Sequence, residues 1–315
     1  MYIGIDLGGT NIAAGLVDQN GKIVHKDSVK TNASRPYSEI IRDMAELSKK
    51  VAIDAGYAID AVEWVGIGSP GTCDPDNGVL VYANNLPFSN TPMREEFQKY
   101  YKVPLYIEND ANCAALGEAM AGSAKGTSSS VTITLGTGVG GGIISDGKIL
   151  PSFNHAGGEL GHMVISMAGE TCTCGNQGCW EAYASATALI RQTREAMEEN
   201  RDSLMWKLTD LDGVSARTSF DAAKQGDLVA KRVVDRYLYY VSVGLLNVVV
   251  IFQPERIIVG GGVSHEGDYI LEPIRKYVAE HDYCRAEQRT EIVTAQLGND
   301  AGIIGAAFLG AQYQK

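Results

Sequence analysis

The sequence predicts an α/β protein of two lobes related by internal duplication. Three observations carry this. Strand-like and helix-like segments alternate, a strand and Gly-rich turn pattern occurs twice, and 315 residues at 45% hydrophobic composition suit two domains of ordinary size better than one.

The first copy of the repeat, IGIDLGGTNIAAGLVDQNGKIV from Ile3, reads as strand, Gly-rich turn, strand, Asx-Gly turn, strand. The second, VTITLGTGVGGGIISDGKIL from Val131, has the same order, and the two align from Leu7 on Leu135 with a two-residue gap before the second turn. Two hairpins of one design predict related lobes facing each other across a cleft, an arrangement suited to a two-part substrate. Between the copies, Ile40, Ile41, Met44, Leu47 and Val51 recur at helical spacing, with Ser38 available as an N-cap. VEWVGIGSPG reads as a buried strand ending in a turn, TPMREEFQKYY as a helix with proline at its start, and VPLYIEND as another strand. Further on, SATALIRQTREAMEEN and DLVAKRVVDRYLYYVSVGLLNVVVIF read as helices, the second so apolar near its end that it is expected in the core. RIIVGGGVS is a strand plus glycine turn. EIVTAQLGNDAGIIGAAFLGAQY is a strand, a turn and a closing helix whose small residues favour close packing.

With 38 acidic against 27 basic residues, the formal charge of -11 disfavours nonspecific attraction to nucleic acid or an anionic membrane. The opening MYIGIDLGG has no basic start or apolar leader, and no stretch approaches the ~18 uninterrupted apolar residues of a membrane span. A cytoplasmic location is the expectation. In a reducing compartment, six cysteines clustered as here favour metal over disulfides, while the isolated Cys73, Cys113 and Cys284 read as small buried hydrophobes.

Glycines at hairpin tips let backbone amides approach phosphate oxygens. Asp6 to Asn11, with Gly8, Gly9 and Thr10, form one such tip, and Gly136, Thr137 and Gly138 form another at the matching repeat position. Each alone could be a plain turn. Together with Gly260, Gly261 and Gly262 they favour a phosphate and nucleotide cradle, and neither a P-loop nor a dinucleotide fingerprint is present. Asp6 reads equally as a ligand for hydrated Mg²⁺ or as a turn-stabilising Asx residue. Asp110, where IENDAN leaves a strand and enters a helix, reads either as a carboxylate within reach of an acceptor hydroxyl or as an N-cap.

His162, Cys172, Cys174 and Cys179 supply one nitrogen and three thiolates, the ligand set of a closed tetrahedral zinc site. Four protein ligands leave no position for an activated water, so such a zinc is structural. Glu159 and Glu181 flank these ligands. The metal would hold both carboxylates and the imidazole in place, and all three groups suit sugar hydroxyls, against the plainer reading of two solvated glutamates.

DLGGTN, GIGSPG, IENDANCAALGE, LGTGVGGGI, HAGGELGH, CTCGNQGCWE, IIVGGGVS and LGNDAGIIGAA occur in this order along essentially the full chain. Together they resemble the ROK family of sugar kinases, transcriptional repressors and related proteins, and within it the bacterial ATP-dependent glucokinases. The resemblance implies an actin-like fold, of the hexokinase and ribonuclease H-like kind, with lobes at 1–110 plus 300–315 and at 111–299. It also implies phosphorylation of glucose at its 6-hydroxyl by ATP with Mg²⁺, Asp110 acting as general base. By the same resemblance Asn85, Asn109, Glu159, His162 and Glu181 hold the other hydroxyls, His162 meeting zinc and sugar both. Asp6 to Asn11 and Gly136 to Gly138 hold phosphates and magnesium, Gly260 to Gly262 line the adenosine, and a homodimer is expected. Family repressors carry a helix-turn-helix region ahead of the first glycine motif. Here Asp6 follows the initial Met so closely that DNA binding is not expected. Phe88 stands where many glucokinase-like relatives show tryptophan. That leaves open a kinase for N-acetylmannosamine, N-acetylglucosamine, fructose or allose, and beside these a sugar-sensing protein without catalysis.

Overall fold

The computed structural model describes residues 1–83, 85–150, 152–284 and 286–313. Residues 314 and 315, included in the expected first lobe, lie outside the described residues. Backbone contacts divide the chain into two compact units. One comprises 1–132, 142–158 and 295–315, the other 133–141 and 159–294.

The first unit is built on a five-stranded mixed sheet. Its strands are β1 (Tyr2–Leu7), β2 (Asn11–Val17), β3 (Ile23–Lys30), β4 (Trp64–Ser69) and, after three short strands described below, β8 (Leu105–Asn109). They lie in the order β3-β2-β1-β4-β8; β1, β2 and β3 pair antiparallel, while β4 pairs parallel with both β1 and β8. Every residue of β4 is buried, which is why WVGIGS reads as a continuous small or apolar run. At the edge, β3 alternates partly buried and exposed positions and carries Lys26, Asp27 and Lys30, charges that discourage edge-to-edge pairing. The strands β5 (Thr72–Asp74), β6 (Val79–Tyr82) and β7 (Ser89–Thr91) form a small separate sheet.

Helix α1 (Tyr37–Asp54) buries Ile40, Ile41, Met44, Leu47 and Val51, the residues its spacing predicts. Its N-cap is Pro36 and makes no side-chain cap bond, so Ser38 lies inside the first turn and is not the cap. Proline fixes φ near helical values and needs no amide partner, and the helix begins directly after it. Helix α2 (Met93–Gln98) follows Pro92 as expected, and α3 (Asp110–Ala121) follows β8.

In the second five-stranded sheet the strands are β9 (Ser130–Leu135), β10 (Val139–Ser145), β11 (Lys148–Ile149), β12 (Arg256–Gly260) and β13 (Glu291–Thr294). Their order, β11-β10-β9-β12-β13, reproduces the first sheet position for position. The repeat in the sequence is therefore a repeat of sheet topology, and the chain is an α/β protein with an internal duplication.

The second unit holds α4 (Glu181–Ala184), α5 (Ala186–Glu199), α6 (Met205–Leu208), α7 (Thr218–Lys224), α8 (Leu228–Phe252) and α9 (Asp268–His281). Among the described residues α8 alone is long and apolar enough to cross a membrane, and half of its apolar window is buried within the protein. It packs against α5, α7 and α9 as a core helix. Asp227 caps its start, accepting from the amides of Val229 at 2.7 Å and Ala230 at 2.9 Å.

The closing segment is two helices, α10 (Ala301–Ala307) and α11 (Leu309–Tyr313), because the chain leaves regular geometry at Phe308. In the first unit α10 lies against β1, β4 and α3. It approaches so closely that a Cβ on Gly66 of β4 would run into the Ala306 carbonyl.

In the second unit a comparable contact joins α8 to Trp180, whose side chain is fully buried and whose Nε1 donates to the Tyr240 carbonyl at 2.9 Å. A methyl group on Gly244 would enter the indole ring. Gly244→Ala is accordingly expected to destabilise the chain by about 1–3 kcal/mol or more. Urea unfolding followed by tryptophan fluorescence checks this, and an unchanged midpoint would show that the contact can relax.

Candidate functional site

Asp6 occupies the sixth position of the chain, near the carboxyl end of β1, where it pairs with Ala13 on β2 and Gly68 on β4. Its carboxylate accepts no hydrogen bond from the described residues, so the structure gives no support to the Asx-turn reading. Desolvation, followed by the neighbouring Asp110, pushes its pKa up to about 6.

Asp110 is the first residue of α3. The cap is Asn109, whose side-chain oxygen accepts from the amides of Ala111 at 2.9 Å and Asn112 at 3.3 Å. The N-cap reading of Asp110 therefore gives way to its neighbour. Its Oδ1 accepts from the Ala111 amide at 2.8 Å, and it remains accessible to water although dense protein surrounds it. That surrounding desolvates the carboxylate and raises its pKa, while the Ala111 amide lowers it in part. Asn109 Nδ2 donates one of its two N–H groups to the Gly71 carbonyl at 3.1 Å.

The first glycine tip closes with the Gly8 amide donating to the Asn11 carbonyl at 3.0 Å, and Thr31 Oγ1 donates to the Gly8 carbonyl at 2.6 Å. Asn85 is exposed, with its Cβ near the open side of Gly9. In the second tip the Gly136 amide donates to the Gly138 carbonyl at 3.0 Å. Gly261, at φ +84°, sits so tightly on the backbone of Leu135 that a Cβ would meet the Leu135 amide nitrogen at 2.7 Å. The third glycine turn is thereby fixed beside the base of the second tip. Gly136 and Gly262, in contrast, have open space where a Cβ would stand, and neither has a positive φ. Nothing in the packing requires glycine at these two positions, whereas the close approach of a ligand would.

The donor atoms of His162, Cys172, Cys174 and Cys179 all lie within 4.8 Å of one another. Zn–S bonds of about 2.3 Å and Zn–N bonds of about 2.0–2.1 Å in a tetrahedron put sulfurs about 3.8 Å apart and sulfur and nitrogen about 3.5 Å apart. Cys174 and Cys179 Sγ are 3.7 Å apart, and Cys172 Sγ is 3.6 Å from His162 Nδ1. The four residues fit a structural zinc site. His162 turns Nδ1 toward the sulfurs, and its Nε2 has no protein partner among the described residues.

The loop is shaped by its own backbone. Amides of Cys172, Gly175 and Gly178 donate to the carbonyls of Asn176, Cys172 and Glu170, and the Trp180 amide ties the Cys179 side to Met163 at 2.7 Å. Burial and the sulfurs of Cys174 and Cys172 push the Cys179 thiol up to about 12. Such crowded thiols call for a cation.

Glu181 links this loop to the second glycine tip. Its Oε2 accepts from the Val139 amide at 2.9 Å, and its Oε1 lies 3.7 Å from Cys172 Sγ and 3.4 Å from Thr173 Oγ1. A Cβ on Gly138 would collide with that carboxylate, which gives this glycine a packing reason. Sequence spacing does not reveal this contact. Glu159 is exposed and precedes the short 3-10 turn that carries His162. Of the isolated cysteines, Cys73 and Cys113 are buried, and burial holds both thiols well above their ordinary pKa. Cys284 is only partly buried, so the expectation of a core residue does not hold there.

The sequence profile described as the ROK family matches residues 2–313. A glucokinase of Thermotoga maritima is 38% identical over 309 residues, covering 98% of this chain and 96% of that one. A glucokinase of Halalkalibacterium halodurans is 37% identical over 316 residues, at 99% and 96% coverage. The crystal structure of a ROK family glucokinase from Streptomyces griseus, in complex with glucose and AMPPNP, superposes with a TM-score of 0.81 at 35% identity, covering 99% of each chain.

Two outcomes follow from this geometry. Protein purified without chelator is expected to carry about one zinc ion per chain, and Cys174→Ser to lower that occupancy, as read by elemental analysis; wild-type protein free of zinc would overturn the assignment. Asp6 is ionised in folded and unfolded chains alike above about pH 6, where its desolvation costs stability in full. As pH falls from about 6 toward 3.8, the folded state takes up a proton first and the cost fades. Asp6→Asn should therefore raise Tm most above pH 6, with the gain shrinking on acidification. A gain constant from pH 8 to pH 4 would contradict the desolvation argument.

Proposed function

The chain belongs to the ROK family, and from that premise we propose that it is an ATP-dependent glucokinase that phosphorylates the 6-hydroxyl of glucose. The observation that carries the reading is the division of roles at the start of α3. Asn109 caps the helix, so that the Asp110 carboxylate shares only the Ala111 amide with the cap, and desolvation makes it a stronger proton acceptor than an ordinary aspartate. In the proposed reaction Asp110 takes the hydroxyl proton as the sugar oxygen bonds to the γ-phosphorus and the bond to the leaving ADP breaks.

The remaining roles follow the family pattern. Glu159, His162 through its free Nε2, Glu181, Asn85 and Asn109 are the proposed partners of the sugar hydroxyls. Asn109 reaches the sugar with the second N–H of its side-chain amide. The tips at Asp6 to Asn11 and Gly136 to Gly138 are the proposed seat of the phosphates, and Gly260 to Gly262 of the adenosine, with Gly136 and Gly262 open to close approach. Asp6 would hold a Mg²⁺ whose chemistry is to offset phosphate charge. A cytoplasmic homodimer belongs to the same proposal. A kinase for another hexose is the second reading, favoured by Phe88, which is buried with its ring 6.3 Å from that of Tyr37 on the loop that bears Asn85.

A coupled assay of ADP release, run over glucose, fructose, allose, N-acetylglucosamine and N-acetylmannosamine with ATP or polyphosphate, tests both readings. Glucose with ATP is expected to give the highest kcat/KM. Asp110→Asn should lower turnover by at least ~100-fold with glucose affinity largely kept. Undiminished turnover in that variant would remove Asp110 as the base, and no ADP release with any sugar would favour a sensor.

A further inference from the structure

Glu108 precedes the proposed base by two residues and is one of few buried carboxylates in the first unit, 6% exposed. Three donors converge on it. Its Oε1 accepts from the Asn109 amide at 2.7 Å and from Asn112 Nδ2 at 3.1 Å, and its Oε2 accepts from the hydroxyl of Tyr313. The first two donors belong to the cap and the first turn of α3. The third comes from the end of the fold's last helix, 205 positions away in sequence.

The approach of that helix is itself defined. Trp64 Nε1 donates to the Ala307 carbonyl at 2.7 Å, and Gly310 lacks the side chain that would strike the Trp64 ring, so α11 lies down on β4. Gln312 then brackets its far side, accepting from the Ile149 amide at 3.3 Å and donating to the Gly147 carbonyl at 3.4 Å. Tyr313 stacks on Tyr106 of β8, with ring centroids 6.5 Å apart and planes 16° apart, which directs its hydroxyl to Glu108.

A buried carboxylate is expensive unless saturated, and an apolar residue would fill the same space without that expense. What the carboxylate adds is direction: it pins the Asn109 amide and the Asn112 side chain on either side of Asp110. We infer that Tyr313 and Glu108 form a clamp that positions Asp110, so that the last helix sets the geometry of the proposed base. Neither is a catalytic residue; both are positioning residues. The inference rests on the assignment of Asp110 as base.

Tyr313→Phe removes one hydroxyl from a half-buried site and is the milder variant, with Glu108→Gln as the second. Each is expected to lower kcat about tenfold while KM for glucose stays within about twofold, since a misplaced base slows transfer without loosening the sugar. Hydrogen exchange on the full chain gives a readout independent of turnover: the amides of Ala111 and Asn112 should exchange about tenfold faster in both variants. A lowered Tm with wild-type kcat and exchange would assign the pair to stability alone and overturn the inference. Asp110→Asn run alongside separates the two levels. Full turnover in that variant would overturn the base assignment and this inference with it. Lost turnover there, with wild-type kcat and exchange in both clamp variants, would overturn this inference alone.

Discussion

Two carboxylates whose charged form desolvation disfavours, Asp6 and Asp110, set the terms for the first unit. One stands near the end of β1 and the other just past the end of β8, with β4 the single strand between them. Desolvation raises both pKa values, and Asp110 adds to the rise at Asp6. Groups whose charge the surrounding protein disfavours do not fix their own positions. Their geometry has to come from the surroundings. At Asp6 it comes from a strand paired on both sides, and at Asp110 from the cap on Asn109 and the saturated carboxylate of Glu108 beneath it. The core does the rest: β4 is buried throughout, and α10 can reach it because Gly66 leaves room for the Ala306 carbonyl.

The second unit meets a similar demand with a different device. The segment that carries His162 and the cysteines has little core of its own, since Val164 is 54% exposed and Met167 93% exposed. Apolar burial does little to order the exposed part of this loop. Backbone hydrogen bonds give it shape, and a tetrahedral ion on the four ligands would add the missing attraction, so that ion binding and local folding would become one equilibrium. Glu181 carries that order outward, since it touches Cys172 on one side and holds the Val139 amide of the glycine tip on the other. A structural metal at this cluster would in this way act on the glycine tip without touching it.

Much of this was legible because it rests on local pattern. Alternating apolar residues, glycine turns and Asx-Gly turns marked both copies of the hairpin, and equal hairpins led to equal sheet orders. The cysteine spacing marked the metal cluster for the same reason. What escaped depends on conformation or on distance in sequence. Asn109 and Asp110 are equally good capping residues, and only the extended ψ of 145° at Asn109 makes it the cap. Ser38 lost that role to the geometry imposed by Pro36. The break at Phe308 divides a segment whose composition reads as one helix. No spacing rule connects Glu108 to Tyr313 or Val139 to Glu181, because those contacts exist only once the fold has brought distant segments together.

Glycines show how structural and ligand-driven constraints can be separated. A glycine retained for packing betrays itself, because a Cβ placed on it meets an atom already in place: Gly261 meets the Leu135 backbone, and Gly138 meets the Glu181 carboxylate, which would have to leave the Val139 amide. Gly136 and Gly262 are one or two residues away on the same turns, yet a Cβ on either meets nothing within 4 Å. Open space at a tight turn lets a ligand approach the backbone amides, which is what the proposed phosphate and adenosine seats require. The tight glycines hold the shape of the turns and the open ones leave room beside them.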